Sequence, residues 1–168
     1  MSGKGSEQER AWPDAAGRLV SGDAGLRHVL PVRVYFEDTD AGGVVYHASY
    51  VRFCERGRTD YLRLLGVDAR RMIDGSDNRE PAAFVVRRMT IDFLRPARMD
   101  DLLEVETRVK EMGGASVTLL QTIAGDGRRI FEAEVTVVLV SVSGKPLRLS
   151  DRLRAAFSQH QAHGPKPA

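Results

Sequence analysis

From Ala82 to Val142 the chain is a succession of period-two segments, and nothing else in it constrains the fold so strongly. LLEVETRVKEM sets Leu103, Val105, Thr107 and Val109 against Glu104, Glu106, Arg108 and Lys110. Such alternation marks a strand with one face buried. Gly113-Gly114 separates this run from ASVTLLQTIA, and Asp126-Gly127 separates that from RRIFEAEVTVVLVSV. Dipeptides of these kinds between alternating runs signal hairpins. In the last run Phe131, Ala133, Val135, Val137 and Leu139 share a face. The opposite face begins with Glu132 and Glu134 and turns apolar at Val138, Val140 and Val142, so the strand is predicted half-exposed at first and buried on both sides later. Upstream, AFVVRRMTIDFLRPA reads as one long strand ended by Pro96.

Before these strands lies one segment of a different period. In SYVRFCERGRTDYLRLLG, Tyr50, Phe53, Cys54, Tyr61, Leu64 and Leu65 recur at three- and four-residue steps, with Gly57 on the same stripe. This predicts an amphipathic helix with Ser49 as N-cap and Gly66 just past its C-terminus. It would be about 24–27 Å long. Gly57 in mid-helix costs about 1 kcal/mol relative to Ala, which close packing against a sheet would justify. Ahead of the helix, VRVYFED places Val32, Val34 and Phe36 on one face of a first strand. After the sheet, DRLRAAFSQH predicts a short helix behind Ser150. One long helix against a five-stranded antiparallel sheet, with four strands in a meander, is an α+β architecture. Apolar positions on both faces of several strands point to a symmetric partner as cover.

Composition narrows the class. A chain of 168 residues, 42% hydrophobic and 29% charged, is read as one globular domain. A net charge of +2 and the lack of a basic run with interleaved aromatics argue against nucleic acid as partner. The one cysteine, Cys54, excludes an intrachain disulfide and a multi-cysteine zinc site. No signal-peptide stretch and no transmembrane run occur, so a cytoplasmic protein without a membrane span is expected. Residues 1–27 are expected to form a mobile tail, 28–158 the domain and 159–168 a second tail.

Between first strand and helix lies EDTDAGGVVYHASY, with Glu37, Asp38 and Asp40 crowded together ahead of a double glycine and Tyr46-His47. Residue types alone leave three readings open. Acidic side chains cluster in solvated turns because they bond nearby backbone. Glu37, Asp38, Asp40 and His47 could ligate a metal, although neither a calcium-loop spacing nor a second histidine at helical spacing accompanies them. The third reading is catalysis. Asp40 precedes Ala41-Gly42-Gly43, where backbone can approach a ligand, and the helix that follows begins with N–H groups lacking intrahelical partners. A carboxylate beside a helix N-terminus joins a nucleophile or base to a place for a developing oxyanion, as acyl transfer requires. His47 is either a helix-entry residue bonded locally or a group acting at the substrate carbonyl. There is no GxSxG elbow, and Cys54 lies on the apolar stripe, which makes it a core residue.

DTDAGGVVYHASYVRFCERGR, residues 38–58, resembles the 4-hydroxybenzoyl-CoA thioesterase family of hotdog-fold enzymes, and within it the bacterial Tol–Pal-associated acyl-CoA thioesterases. IDFLRPARMDD and VKEMGGASVTL resemble the same subgroup. The resemblance implies a sheet wrapped around one central helix, homodimers in which two sheets join, and often homotetramers. It implies hydrolysis of acyl-CoA to free acid and CoA with no metal or organic cofactor. Position by position, it places the catalytic carboxylate on Asp40 and the N–H that polarises the thioester carbonyl on His47. Tyr46 and His47 stand where the 4-hydroxybenzoyl enzyme has an aromatic pair, so Tyr46 is a substrate-binding candidate. That enzyme's basic cluster for the CoA phosphates has no counterpart in the turn Met112–Ser116, which leaves Arg95 and Arg98 as candidate cations and a carrier-protein thioester as an alternative substrate. Two rival functions follow from the same fold: a hotdog hydratase-dehydratase using Asp40 with His47, and a non-catalytic module docking an acyl carrier protein or an envelope-associated partner.

Overall fold

The computed structural model describes residues 17–22, 25–76 and 80–159. Six strands form one antiparallel sheet: β1 (Arg18–Gly22), β2 (Gly25–Arg33), β3 (Ala82–Phe93), β4 (Leu102–Met112), β5 (Ser116–Gly125) and β6 (Arg128–Ser141). Their order across the sheet is β1-β2-β4-β5-β6-β3. The long helix α1 (His47–Leu64) lies on one face, α2 (Ala69–Asp74) follows it, and α3 (Asp151–Ser158) closes the chain. Asp126 and Gly127 both take positive φ, 50° and 71°, as a two-residue turn between β5 and β6 demands.

The helix packs as its stripe predicts. Tyr50, Phe53, Cys54, Gly57 and Tyr61 are buried, while Leu64 is exposed. Gly57 sits against the sheet so closely that an added Cβ would lie 3.0 Å from Val105 Cγ1 and 3.4 Å from Thr107 Oγ1. At the C-terminus Gly66 takes φ +72°, its N–H bonds Arg63 C=O, and Val67 N–H reaches back to Leu62 C=O at 3.0 Å. This is the paired closure that a glycine at C′ permits. At the other end the expected cap moves: Tyr46, not Ser49, is the N-cap, and Ser49 is buried one turn in with its N–H on Tyr46 C=O.

Three other expectations are corrected. The tail drawn over 1–27 is strand from Arg18 to Gly22 and again from Gly25, while residues 1–16 and 160–168 lie outside the described residues. β1 has no buried face, only a half-buried Val20, and so carries no period-two signal. The sheet has six strands, and only β4, β5 and β6 are a meander; β3 crosses to the far edge beside β6, and β2 pairs with β4. Alternation specifies which side chains face the core, not which strands are neighbours. The first strand ends at Arg33, and Phe36–Asp38 is a 3₁₀ turn with Phe36 82% exposed, so Phe36 does not continue the face of Val32 and Val34. The outer face, for which a symmetric partner is the expected cover, is polar over part of its area. It carries Arg27–Glu106, Arg108–Glu106 and Lys110–Glu134 ion pairs and a Thr118–Thr136 hydroxyl contact. Further along β6, Val137, Val138 and Leu139 are buried in succession, but the expected second buried face does not extend beyond them: Val140 is half-buried and Val142, past the end of the strand, is 83% exposed.

A buried polar knot ties β1 and β2 to α1. His28, wholly buried on β2, meets Asp60 at 2.8 Å between Nε2 and Oδ2. Gly17 N–H donates to the same oxygen, and Arg63 Nη1 to the other, each at 2.8 Å. A Cβ on Gly17 would collide with both His28 Nε2 and Asp60 Oδ2.

Candidate active site

The acidic loop is built from its own backbone outward. Val34, fully buried, exchanges 3.0 Å hydrogen bonds with the Asp100–Asp101 turn. The chain then turns sharply through Phe36–Asp38. Asp38 is only 1% exposed: Oδ2 accepts from Tyr35 N–H at 2.9 Å, Oδ1 from Arg52 Nη2 at 3.3 Å, and its carbonyl from Tyr46 N–H at 2.8 Å. Asp38 therefore fixes the loop, whereas Glu37 is exposed.

Thr39 and Val45 form an isolated bridge, and residues 40–44 close a tight loop beyond it. Asp40 N–H bonds Val44 C=O at 2.9 Å, and Gly43 N–H bonds Asp40 C=O at 3.0 Å. Asp40 itself is exposed. Its Oδ1 accepts from Gly42 N–H at 2.8 Å, and Oδ2 has no partner among the described residues. The two glycines serve this turn: Gly43 has φ +73°, and a Cβ on Gly42 would lie 3.0 Å from Asp40 Oδ1. The result is an oriented carboxylate with one oxygen presented outward.

The same bridge delivers the chain into α1. His47 is its first residue, where the N–H has no intrahelical acceptor and carries the positive end of the helix dipole. Asp40 thus follows the first partner of the bridge, Thr39, by one residue, and His47 follows the second, Val45, by two. The His47 ring lies 4.3 Å from that of Tyr46, which is 46% exposed, and edge-on to Phe93 at 6.5 Å. Phe93 packs on Tyr50 and Phe131, and Tyr50 stacks on Phe131 at 5.4 Å. Tyr50 Oη accepts Ala97 N–H at 3.0 Å, and Ala97 C=O accepts Val45 N–H at 2.8 Å. Helix, RPAR turn and acidic loop are pinned to one another through Ala97.

The two arginines are less well placed. Arg95 Nη1 donates to Arg129 C=O at 2.7 Å, in a groove of about 480 Å³ that also holds Asp100, Asp101 and Asp126. Arg98 uses its backbone N–H on Asp101 Oδ2 at 2.7 Å, and its side chain does not line that groove. Neither is brought beside Asp40 by any contact. Cys54 is fully buried, and burial pushes its thiol up to about 12, opposed by the nearby Arg58 charge. Among the described residues no three His, Cys, Asp or Glu side chains converge as a metal site would require.

Sequence reasoning missed the Tyr50–Ala97 link and a polar network beneath the helix. Gln121, fully buried, donates to Cys54 C=O and Thr107 Oγ1 at 2.9 Å and accepts from Arg58 at 2.8 Å. Its signal was present: a glutamine at inward parity between Leu119 and Ile123 needs partners. No helix among the described residues is long and apolar enough to cross a membrane.

With this geometry in view, known proteins give the context. The thioesterase-like superfamily matches residues 34–157, so β1 and β2 precede the matched span. The chain is 47% identical over 131 residues to the acyl-CoA thioester hydrolase YbgC of Escherichia coli O6:H1, covering 77% of this chain and 94% of that protein. It is 43% identical over 129 residues to the acyl-CoA thioesterase YbgC of Haemophilus influenzae, covering 76% and 92%. A probable thioesterase from Bartonella henselae superposes with TM-score 0.71 at 41% identity, covering 74% of this chain and 99% of the other. By matched span, identity and sheet-on-helix architecture, the chain belongs to the thioesterase-like superfamily and has its hotdog fold.

Proposed function

We propose that this enzyme hydrolyses acyl-CoA thioesters to free acid and CoA, with Asp40 as the catalytic carboxylate. One observation carries the assignment: Asp40 is held by Gly42 N–H with its second oxygen presented outward, on the loop that feeds the first turn of α1. The thioester carbonyl is polarised by His47 N–H and the helix N-terminus, where a well-placed oxyanion donor is worth about 10²–10³ in rate. Asp40 either adds to the carbonyl, giving a mixed anhydride that water then cleaves, or takes a proton from an attacking water. Both routes end in the carboxylate and the CoA thiol. Single turnover in ¹⁸O-water separates them, since only the anhydride route can leave the label in Asp40. Tyr46, exposed beside His47, borders the acyl group. Arg98 and Arg95 are the cations assigned to the CoA phosphates, with Arg98 the freer of the two.

The open edge of β3 supports a homodimer. Among the described residues this twelve-residue strand pairs only with β6, and it exposes Val85 and Val86. Unprotected edges of that length invite a second strand. The reaction needs no metal or organic cofactor, so turnover should survive exhaustive chelation. An acyl-CoA substrate and a lone buried thiol fit a cytoplasmic enzyme.

The test is thiol release from a panel of acyl-CoAs and an acyl carrier protein thioester, with wild type and Asp40→Asn side by side. A loss of about 10²–10⁴ in turnover is expected from the substitution, with an unchanged melting curve. Near-normal hydrolysis by folded Asp40→Asn would remove Asp40 from the mechanism. Enoyl-CoA hydration measured in parallel should be absent.

A further inference from the structure

Beyond the C-terminus of α1, a cavity of about 430 Å³ opens between α2, the start of β3 and the segment entering α3. Ligand pockets commonly measure about 300–1,000 Å³. Val67, Met72, Leu139, Leu147 and Leu153 give it an apolar floor. Its polar lining is three arginines, Arg71, Arg148 and Arg152, against Asp68 and Glu80. Asp68 is already engaged as the N-cap of α2, accepting Arg71 N–H at 3.1 Å with Arg71 Nε 3.5 Å away. Arg152, also in the lining, is anchored by a bond from Nη2 to Gly66 C=O at 3.1 Å. The first turn of α3 opens on the same side: Ser150 caps it by accepting Leu153 N–H at 3.3 Å, and Ser150, Arg152 and Leu153 all line the cavity. The start of α3 adds partial positive charge to that of Arg148 and Arg152, offset in part by Asp151 in the same turn, which does not line the cavity. An apolar lining beside Arg148 and Arg152 complements an amphiphilic anion.

We propose that this cavity is a second binding site, for a medium-chain carboxylate. The alkyl tail lies on Met72, Leu147 and Leu153, and the carboxylate sits between Arg148, Arg152 and the first turn of α3. The site is separated from the Asp40 loop by the eighteen residues of α1, a length of about 27 Å. Its occupant therefore acts without filling the hydrolytic site. Carboxylates of this class are also what thioester hydrolysis releases; only the choice of physiological ligand rests on that reaction, not the chemistry of the cavity.

Titration calorimetry of octanoate into the full chain tests this, with octylammonium and octan-1-ol as controls for charge. Arg148→Glu, Arg152→Glu, the double variant and the cavity-filling Leu153→Trp are titrated in parallel, and acyl-CoA turnover is measured without octanoate. The expected result is one octanoate per chain, no comparable binding of either control, and at least tenfold weaker affinity in the double variant with turnover unchanged. Because Arg152→Glu also loses the bond to Gly66, Arg148→Glu decides alone if the double variant melts early, with at least threefold weakening expected. Absent binding by wild type, unchanged affinity in the reversal variants, or equal binding of octylammonium overturns the site while leaving hydrolysis at Asp40 untouched. Octanoate binding that is lost in Asp40→Asn and kept in the reversal variants also overturns it, by placing the carboxylate at the hydrolytic site.

Discussion

Replacing Tyr50 by Phe isolates a single hydrogen bond that ties α1 to the Ala97 turn, which in turn holds the acidic loop. The Tyr50 ring is 4% exposed, stacks on Phe131 with a 7° interplanar angle, and meets Phe53 and Phe93 edge-on. Phenylalanine keeps all of those contacts and removes only the oxygen. Ala97, itself fully buried, then has an N–H with no acceptor. A buried donor left unsatisfied costs about 1–3 kcal/mol. Relief from burying the phenolic oxygen, whose desolvation raises the Tyr50 pKa, offsets part of this. A net loss of about 1–2 kcal/mol corresponds to roughly 2–8 °C in melting temperature for a domain of this size. The assay is urea denaturation at fixed protein concentration, with Tyr50→Leu as a control that also loses ring packing and should fall further. Because Ala97 C=O also receives Val45 N–H, the Phe variant should lose turnover as well, by a smaller factor than Asp40→Asn. A Tyr50→Phe protein with wild-type midpoint and wild-type turnover would refute the claim that this bond positions the loop.

Other outcomes follow from the same contacts. Burial holds His28 below its ordinary value of 6.5 against the pull of Asp60, so the folded protein keeps it neutral where the unfolded chain takes up a proton. Stability should therefore fall as pH drops below about 6.5 and continue down to the folded-state pKa; melting curves between pH 8 and 5 should show the decline, flattened in His28→Gln. Cys54, with its thiol at about 12 and no exposed surface, should resist a disulfide reagent at pH 8 until denaturant is added, and Cys54→Ala should keep full hydrolysis. Gly57→Val, forced against Val105 Cγ1, should lower stability by about 1–3 kcal/mol, read as a shift in denaturation midpoint.

Much of the architecture is local and so was legible in the chain. The alternation in β4, β5 and β6 exists because each strand buries one face, and Asp126-Gly127 takes the positive φ that its two-residue turn needs. The stripe Tyr50, Phe53, Cys54, Gly57 and Tyr61 marks the buried side of α1 for the same reason. Asp40 ahead of two glycines and a helix start could be singled out because all its local partners, from Gly42 to Val44, lie within four residues. β1 escaped notice because a strand with no buried face has no reason to alternate.

What the sequence by itself determined is therefore the set of faces and turns: which residues point inward, where the helix runs, and that an acidic, glycine-bearing loop stands at its threshold. Only the tertiary structure decided which strands are neighbours, sending β3 past three others to an open edge. It alone placed Ala97 between Tyr50 and Val45, and His28 against Asp60. The physical reason is range. Periodicity and turn chemistry act over a few residues, whereas these links join groups from 32 to about 50 residues apart, and no pattern along the chain records which distant partner satisfies a buried polar group.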